Sequence, residues 1–374
     1  MRKADEIVIV GGGVIGLSTA FFLARGGRQV TVLDNSPTRD KASWAGAGIL
    51  PPGNPALAST PCDWLRAKSA ELFPTFSQEL LQLTGFDNGF RICGGVEFPG
   101  QPDWQWEDSL RDEGIAFELV SESQIPSRFP GIDRGLGPGY FLPAMAQVRN
   151  PWHLHALKNG CEKLGVHLRD NCTAFDFQIQ GGRITALNSS EGALSADRFL
   201  VAGGAWSGKI LKTLGFESSV EPIRGQIVLI QADVPLRQIV LAGKNYLVPR
   251  GDGLILIGST EEDVGFLRGT TAEGKSSLLE FARRISPSIA EGKVVDHWSG
   301  FRPKSPTRNP LIGRVGDFEN LYVATGHFRS GLQMSLGTAL LVSQLMTGAN
   351  TEIPLDSFSL NELPVSEVPL LFQS

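Results

Sequence analysis

Two short apolar runs, residues 7–10 and 30–33, flank a longer one over residues 17–24 near the start of the chain. Brief apolar runs bounded by turn residues read as buried strands, and the longer run between them reads as a helix covered on most sides. The opening therefore predicts strand, turn, helix, strand. Farther on, Leu65, Leu72, Phe73, Phe76, Leu80 and Leu83 share a helical face that ends at Gly85. Residues 90–98 read as a strand, 104–114 as a helix, 116–120 as a strand and 121–144 as loop-rich. Asn150-Pro151 predicts an N-cap and first-turn proline, opening a helix with Leu154, Leu157, Cys161 and Leu164 on one face. Strands at 166–168, 173–180 and 183–188 follow, the last two joined as a hairpin by Gly181-Gly182, and 198–202 runs into Gly203-Gly204. Strand-like runs at 225–230, 245–248 and 254–257 alternate with turns and predict an antiparallel sheet. A strand at 321–324, a turn at 325–331 and a long helix close the pattern.

Between the first strand and helix stands Gly11-Gly-Gly-Val-Ile-Gly16. Gly11 permits the tight turn, Gly13 lets backbone N–H groups approach a pyrophosphate, and Gly16 lets the helix pack close to the strand. The helix N-terminus favours the anion. Asp34, ending the second strand, is placed to accept hydrogen bonds from an adenosine ribose and would repel a 2′-phosphate. The cofactor expected is FAD or NAD, not NADP. A glycine triplet alone is weak; strand, helix and acid in register give it specificity. A secretory-signal core is the competing reading of residues 14–24, and Asp5 and Glu6 stand where such a signal carries positive charge. Small residues over 42–50 let backbone lie flat against something large.

A chain of 374 residues is long enough for two or more cores. The balance of 34 Lys+Arg against 39 Asp+Glu argues against nucleic acid as a partner. Residues 331–346 are too short and too polar to span a bilayer, so the expectation is a soluble, cytoplasmic protein without an export signal. Cys62, Cys93, Cys161 and Cys172 show neither disulfide nor metal-ligand spacing and read as core residues. No metal is expected. The predicted fold is α/β: a Rossmann-type domain from residues 1–85, 146–218 and 303–374, interleaved with an α+β substrate domain on an antiparallel sheet from 86–145 and 219–302.

Eight motifs in order carry a resemblance: Val8-Ile-Val-Gly-Gly-Gly-Val-Ile-Gly16, Ser43-Trp-Ala-Gly-Ala-Gly48, Val201-Ala-Gly-Gly-Ala-Trp-Ser207, Pro222-Ile-Arg-Gly-Gln226, Tyr246-Leu-Val-Pro-Arg250, Gly258-Ser-Thr260, Trp298-Ser-Gly-Phe-Arg-Pro303 and Gly326-His-Phe-Arg-Ser-Gly331. Over nearly its whole length the chain resembles the FAD-dependent amine and D-amino-acid oxidases, with the glycine oxidases as the nearest pattern. The resemblance implies FAD in a glutathione-reductase-like domain. It implies contacts to FAD from Gly11, Gly13, Val14, Ile15, Gly16, Asp34, Ser43, Trp44, Ala45, Gly46, Gly48, Ala174, Gly203, Gly204 and Trp206, and from His327, Phe328, Arg329, Ser330, Gly331, Leu332 and Gln333, with Arg302 beside them. Arg302 and Tyr246 are the implied anchors of a substrate carboxylate, the guanidinium fork matching it bidentately; a domain-interface salt bridge is the competing role for Arg302, and a packed strand residue for Tyr246. Arg329 is a third catalytic candidate that could equally pair with a carboxylate of the other domain. His327 reads as a turn residue rather than a base. Without Cys after Arg302 or His in the 43–48 loop, FAD is expected to bind non-covalently.

The implied reaction is oxidative deamination of glycine, sarcosine or a small D-amino acid to an oxo acid, ammonia or amine, and hydrogen peroxide. Dioxygen is the acceptor. The iminoacetate formed from glycine suits thiamine thiazole synthesis. The alternatives are a dehydrogenase passing electrons to a quinone or partner protein, an NAD-linked dehydrogenase using only the first motif, and a non-catalytic FAD-binding subunit. A homo-oligomer is compatible with each. Lys244 and the acidic Glu261-Glu262-Asp263 depart from the pattern and are expected to alter substrate preference.

Overall fold

Ile7 and Ile9 pack into one hydrophobic core and their neighbours Val8 and Val10 into another, as the two-residue period of a strand buried on both faces requires. The computed structural model of the protein describes residues 6–35, 39–99, 104–133, 136–216 and 220–360. Its first sheet has six strands in the order Leu311–Arg314, Leu321–Thr325, Arg198–Val201, Glu6–Val10, Gln29–Asp34, His167–Asp170, all parallel except the antiparallel first. Helices Val14–Arg25, Pro61–Thr84, Asn150–Lys163 and Ser335–Thr347 cover one face. The antiparallel strands Ala174–Gln180, Arg183–Ser189 and Gly192–Leu194 lie over the other. This is the Rossmann-type, glutathione-reductase-like arrangement.

Local rules set the helix ends. Thr60 caps the second of these helices by accepting a 3.1 Å hydrogen bond from Asp63 N–H, Pro61 takes the first turn, and Gly85 ends it at φ 77°. A Cβ at Gly16 would lie 1.9 Å from the carbonyl oxygen of Gly11, so only glycine lets the first helix sit this close to the turn.

The second sheet has eight strands in the order Lys293–Lys304, Glu221–Gln231, Leu254–Gly258, Asn245–Pro249, Ile239–Ala242, Gly95–Phe98, Gly139–Leu142, Glu118–Val120. It is antiparallel except where Ile239–Ala242 meets Gly95–Phe98. Helix Ala272–Ile285 covers one face through Leu278, Phe281, Ala282 and Ile285; the other, with Ile227, Leu241, Tyr246 and Val248, faces the first sheet's half. A small sheet of Ile49–Leu50, Ala146–Gln147 and Arg91–Ile92 stands at the junction.

Several expectations need correction. The stretch read as loop-rich over 121–144 contains Gly139–Leu142, paired on both edges and central to its end of the sheet. Residues 90–98 form two strands broken at Cys93-Gly94, where both N–H groups turn to the Met145 carbonyl. Asn150 is not the N-cap; Arg149 holds that position, and the Asn150 amide is used elsewhere. Residues 36–38 and 361–374 lie outside the described residues.

Candidate active site

A single continuous cleft runs from Asp34, past Gly11–Gly13, to Tyr246, Arg302 and Arg329 between the two sheets. At its first end the N–H groups of Gly12 and Gly13 find no acceptor among the described residues, while Val14 N–H is held by Ser43 Oγ at 2.9 Å. Free donors at the mouth of a buried helix call for an anion. Any Cβ at Gly13 would fall 3.0 Å from Ser43 Oγ. Asp34 lies alongside, pointing at Gly12, and pairs with Lys41. Among the described residues, helix Ser335–Thr347 is preceded by a turn in which the N–H groups of Gly331, Leu332 and Gln333 also donate to no protein acceptor. These donor sets, at opposite parts of one cleft, fit the pyrophosphate and the electron-accepting ring of a flavin dinucleotide.

The wall between them is the 41–48 loop. Its carbonyls are pinned from outside at alternate positions: Asn150 Nδ2 donates to Ser43 O at 2.8 Å, Trp298 Nε1 to Ala45 O at 3.0 Å, and Arg250 Nη2 to Ala47 O at 2.7 Å. Arg250 also donates to Gln147 Oε1 at 2.9 Å and Val148 O at 3.0 Å. Burial first, then Arg149 and Arg91, lower its pKa to about 9. With its polar backbone engaged on the outer side, the loop presents small side chains to the cleft.

At the other end of the cleft, the Arg302 guanidinium lies over Gly225, whose added Cβ would be 2.1 Å from Nη1. Nη1 donates to Thr260 O at 3.1 Å and Nη2 to Ser259 Oγ at 2.7 Å. The Tyr246 ring lies over Gly258, its register partner in the ladder. Arg329 reaches across from the other half: Nη2 donates to Lys244 O at 3.0 Å and Nη1 stands 3.4 Å from Glu261 Oε2. Its pKa is lowered by burial and then by the charge of Arg302. Buried His327 shares a hydrogen bond of 3.0 Å with Thr338 Oγ1, and burial drops its pKa to about 3, so the ring is neutral. Trp206 packs at 5.2 Å on Phe266 and at 6.0 Å on Phe301, covering the cleft with aromatic carbon.

Of the residues expected around the cofactor, Gly11, Gly13, Val14, Ile15, Asp34, Ser43, Ala45, Gly46, Gly48, Ala174, Gly203, Gly204, Trp206, Arg302, His327, Phe328, Arg329, Gly331, Leu332 and Gln333 line this cleft. Gly16, Trp44 and Ser330 do not. Gly16 serves packing, Trp44 turns outward onto Trp298 and beneath Arg39, and Ser330 N–H closes the turn on His327 O. Sequence reasoning missed Gly12, Asn150, Gly225 and Ser259, which line the cleft, and Arg250 behind it. Gly225, Arg250 and Ser259 stood inside quoted motifs, but only the sheet register shows what they touch.

The family described as FAD dependent oxidoreductase, or DAO, matches residues 6–345. The chain is 37% identical to the glycine oxidase of Pseudomonas putida over 92% of this chain and 95% of that protein, and 35% identical to the glycine oxidase of Pseudomonas aeruginosa, with the same shares covered. Among solved structures it is similar to glycine oxidase from Geobacillus kaustophilus, with a TM-score of 0.88 and 29% identity over 96% of this chain and 100% of that one. With the free donors of the cleft, the paired sheets and this match in agreement, the chain belongs to the FAD-dependent oxidoreductase family of D-amino-acid oxidase type.

Proposed function

We propose that the protein oxidatively deaminates glycine and related small amino acids, with dioxygen as the electron acceptor. The observation that carries this reading is Arg302. Among the described residues its guanidinium is held only by neutral oxygens, Ser259 Oγ and Thr260 O, in a cleft that Tyr246 also lines. A fixed, uncompensated cation with a neighbouring phenol matches a single carboxylate. FAD, when bound, supplies a two-electron acceptor that dioxygen can reoxidise. Arg302 and Tyr246 bind the carboxylate and fix the α-carbon in the cleft; holding reactants in register is the protein's main contribution. The donors of Gly331, Leu332 and Gln333 place positive potential where negative charge develops. His327 is neutral and engaged with Thr338, so it neither holds nor moves the substrate proton, and the amine reacts in its neutral form. Trp206 and Phe301 limit water.

The same reading makes FAD non-covalent. Cys172 lines the cleft near Asp34, away from the substrate end, and His327 is committed to Thr338. Acid precipitation should release free flavin into the supernatant. For glycine as substrate, the iminoacetate product is of the type consumed in thiamine thiazole synthesis. The deciding experiment adds glycine, sarcosine, D-alanine and D-proline in turn to the purified anaerobic protein. Bleaching of the flavin band, restored by air with formation of hydrogen peroxide, is the expected result. A band reduced by an amino acid but not restored by air would instead mark a dehydrogenase, and no bleaching by any of the four would remove the amino-acid reading.

A further inference from the structure

We propose that Glu261 sets the charge of the substrates this cleft accepts: its pairing with Arg329 leaves one uncompensated cation, Arg302, and so selects molecules with a single carboxylate. The inference rests on the amino-acid reading above and refines it. Two guanidiniums face the substrate end, and their surroundings differ. Among the described residues Arg302 meets only neutral acceptors. Arg329 meets the Lys244 carbonyl and, at 3.4 Å, the Glu261 carboxylate, with side-chain exposures of 14% for Arg329 and 35% for Glu261. The other nearby charges are paired or exposed, Arg308 among them, whose charge also acts on Arg329. Glu262 is taken by Arg224, at 3.0 Å from Nε, and by Gln226, at 2.7 Å. Asp263, the Lys244 side chain and Arg308 are exposed, where solvent screens them.

Two positive charges against one carboxylate leave a net single positive charge, which one substrate carboxylate neutralises. A second anionic group extending toward Arg329 would meet Glu261, and like charges at such distances oppose binding in a partly buried site. This is selection by repulsion as much as by attraction. Removing the carboxylate would turn Arg329 into a second anion subsite.

The test is calorimetric titration of the flavin-loaded protein with acetate and malonate, which share the carboxylate and differ by one charge. The parent protein is expected to prefer acetate. Glu261→Gln, nearly isosteric, should shift the ratio of the two Kd values toward malonate by about tenfold, and adding Arg329→Gln should remove that shift. Glu261→Asp, which keeps the charge, should retain the parent's preference. Flavin content and Tm establish that each variant is intact. An unchanged ratio in Glu261→Gln, or equal gains for both ligands, would overturn the proposal. Reduction of the parent's flavin by glycine tests the activity separately: its failure removes the function, whereas an unmoved ratio removes only the role of Glu261.

Discussion

Arg302 and Gly13 make opposite demands on side-chain chemistry, one for a planar cation and the other for no side chain. Arg302→Lys keeps the charge but loses the fork that spans Ser259 Oγ and Thr260 O. A carboxylate held by a point charge sits in poorer register, so KM should rise and flavin reduction should slow together, with flavin content unchanged. Stopped-flow reduction under anaerobic conditions measures both; a variant with the parent's rate and affinity would show that Arg302 is not the anchor. Gly13→Val puts a branched side chain against Ser43 Oγ, already 3.0 Å from the position of a Cβ, and over the free N–H groups. The variant should purify without flavin. Asp34→Ala is milder, because Lys41 loses its partner while ribose loses a charged acceptor worth about 1.5–3 kcal/mol. Flavin Kd should rise by at least about tenfold.

The 41–48 loop acts as a unit because three side chains from different segments hold its alternate carbonyls. Arg250 is the most connected of these, bonding Ala47, Gln147 and Val148 from the end of the strand that carries Tyr246. It thereby ties the 41–48 loop to the strand that carries Tyr246. Arg250→Met fills similar volume but leaves those acceptors without a donor, at a cost of about 2–4 kcal/mol. Tm should fall by several degrees, and KM and the flavin reduction rate should worsen even though Arg250 is not among the cleft-lining residues. If Tm falls while the kinetics of the folded fraction stay at parent values, Arg250 supports stability and not register.

Across the two halves, buried ionisable groups predict opposing pH dependences. Burial lowers the pKa of His153 to about 4, and burial raises that of Glu97 to about 7. For His153 the folded value lies below the unfolded one, so its contribution is full above pH 6.5 and is lost as pH falls toward 4. For Glu97 the folded value lies above, so its contribution is full below pH 4.5 and is lost as pH rises toward 7. Each is limited to about 1.4 kcal/mol per pH unit within its window. Denaturant unfolding from pH 4.5 to 7 should therefore show a flatter acid-side decline in His153→Gln and a steeper one in Glu97→Gln. Identical slopes in all three proteins would contradict these assignments. Among the described residues no helix is long and apolar enough to cross a membrane.

The half built on the six-stranded sheet was readable in the chain because its signals are local. The Gly11–Gly16 turn, the acid ending the next strand, the cap at Thr60 and the stop at Gly85 each depend on residues within a turn or two of one another. The half built on the eight-stranded sheet was less so. Strand Gly139–Leu142 hid in a loop-like composition because its partners, Gly95–Phe98 and Glu118–Val120, lie 19 or more residues away and supply the burial that makes it a strand. Asn150 fits an N-cap by residue type, but its amide reaches Ser43, 107 positions away. The side chains expected at the substrate, Tyr246 and Arg302, were named from motifs, whereas their seats over Gly258 and Gly225 follow from sheet register. The partner of Arg329 came from folding as well: Glu261 reaches it only when the two halves pack together. Turns and caps are decided by steric and hydrogen-bonding rules over a few residues, so they are written in adjacent letters; charge pairing and side-chain seating depend on distances between segments, which the chain acquires only on closing its long-range contacts.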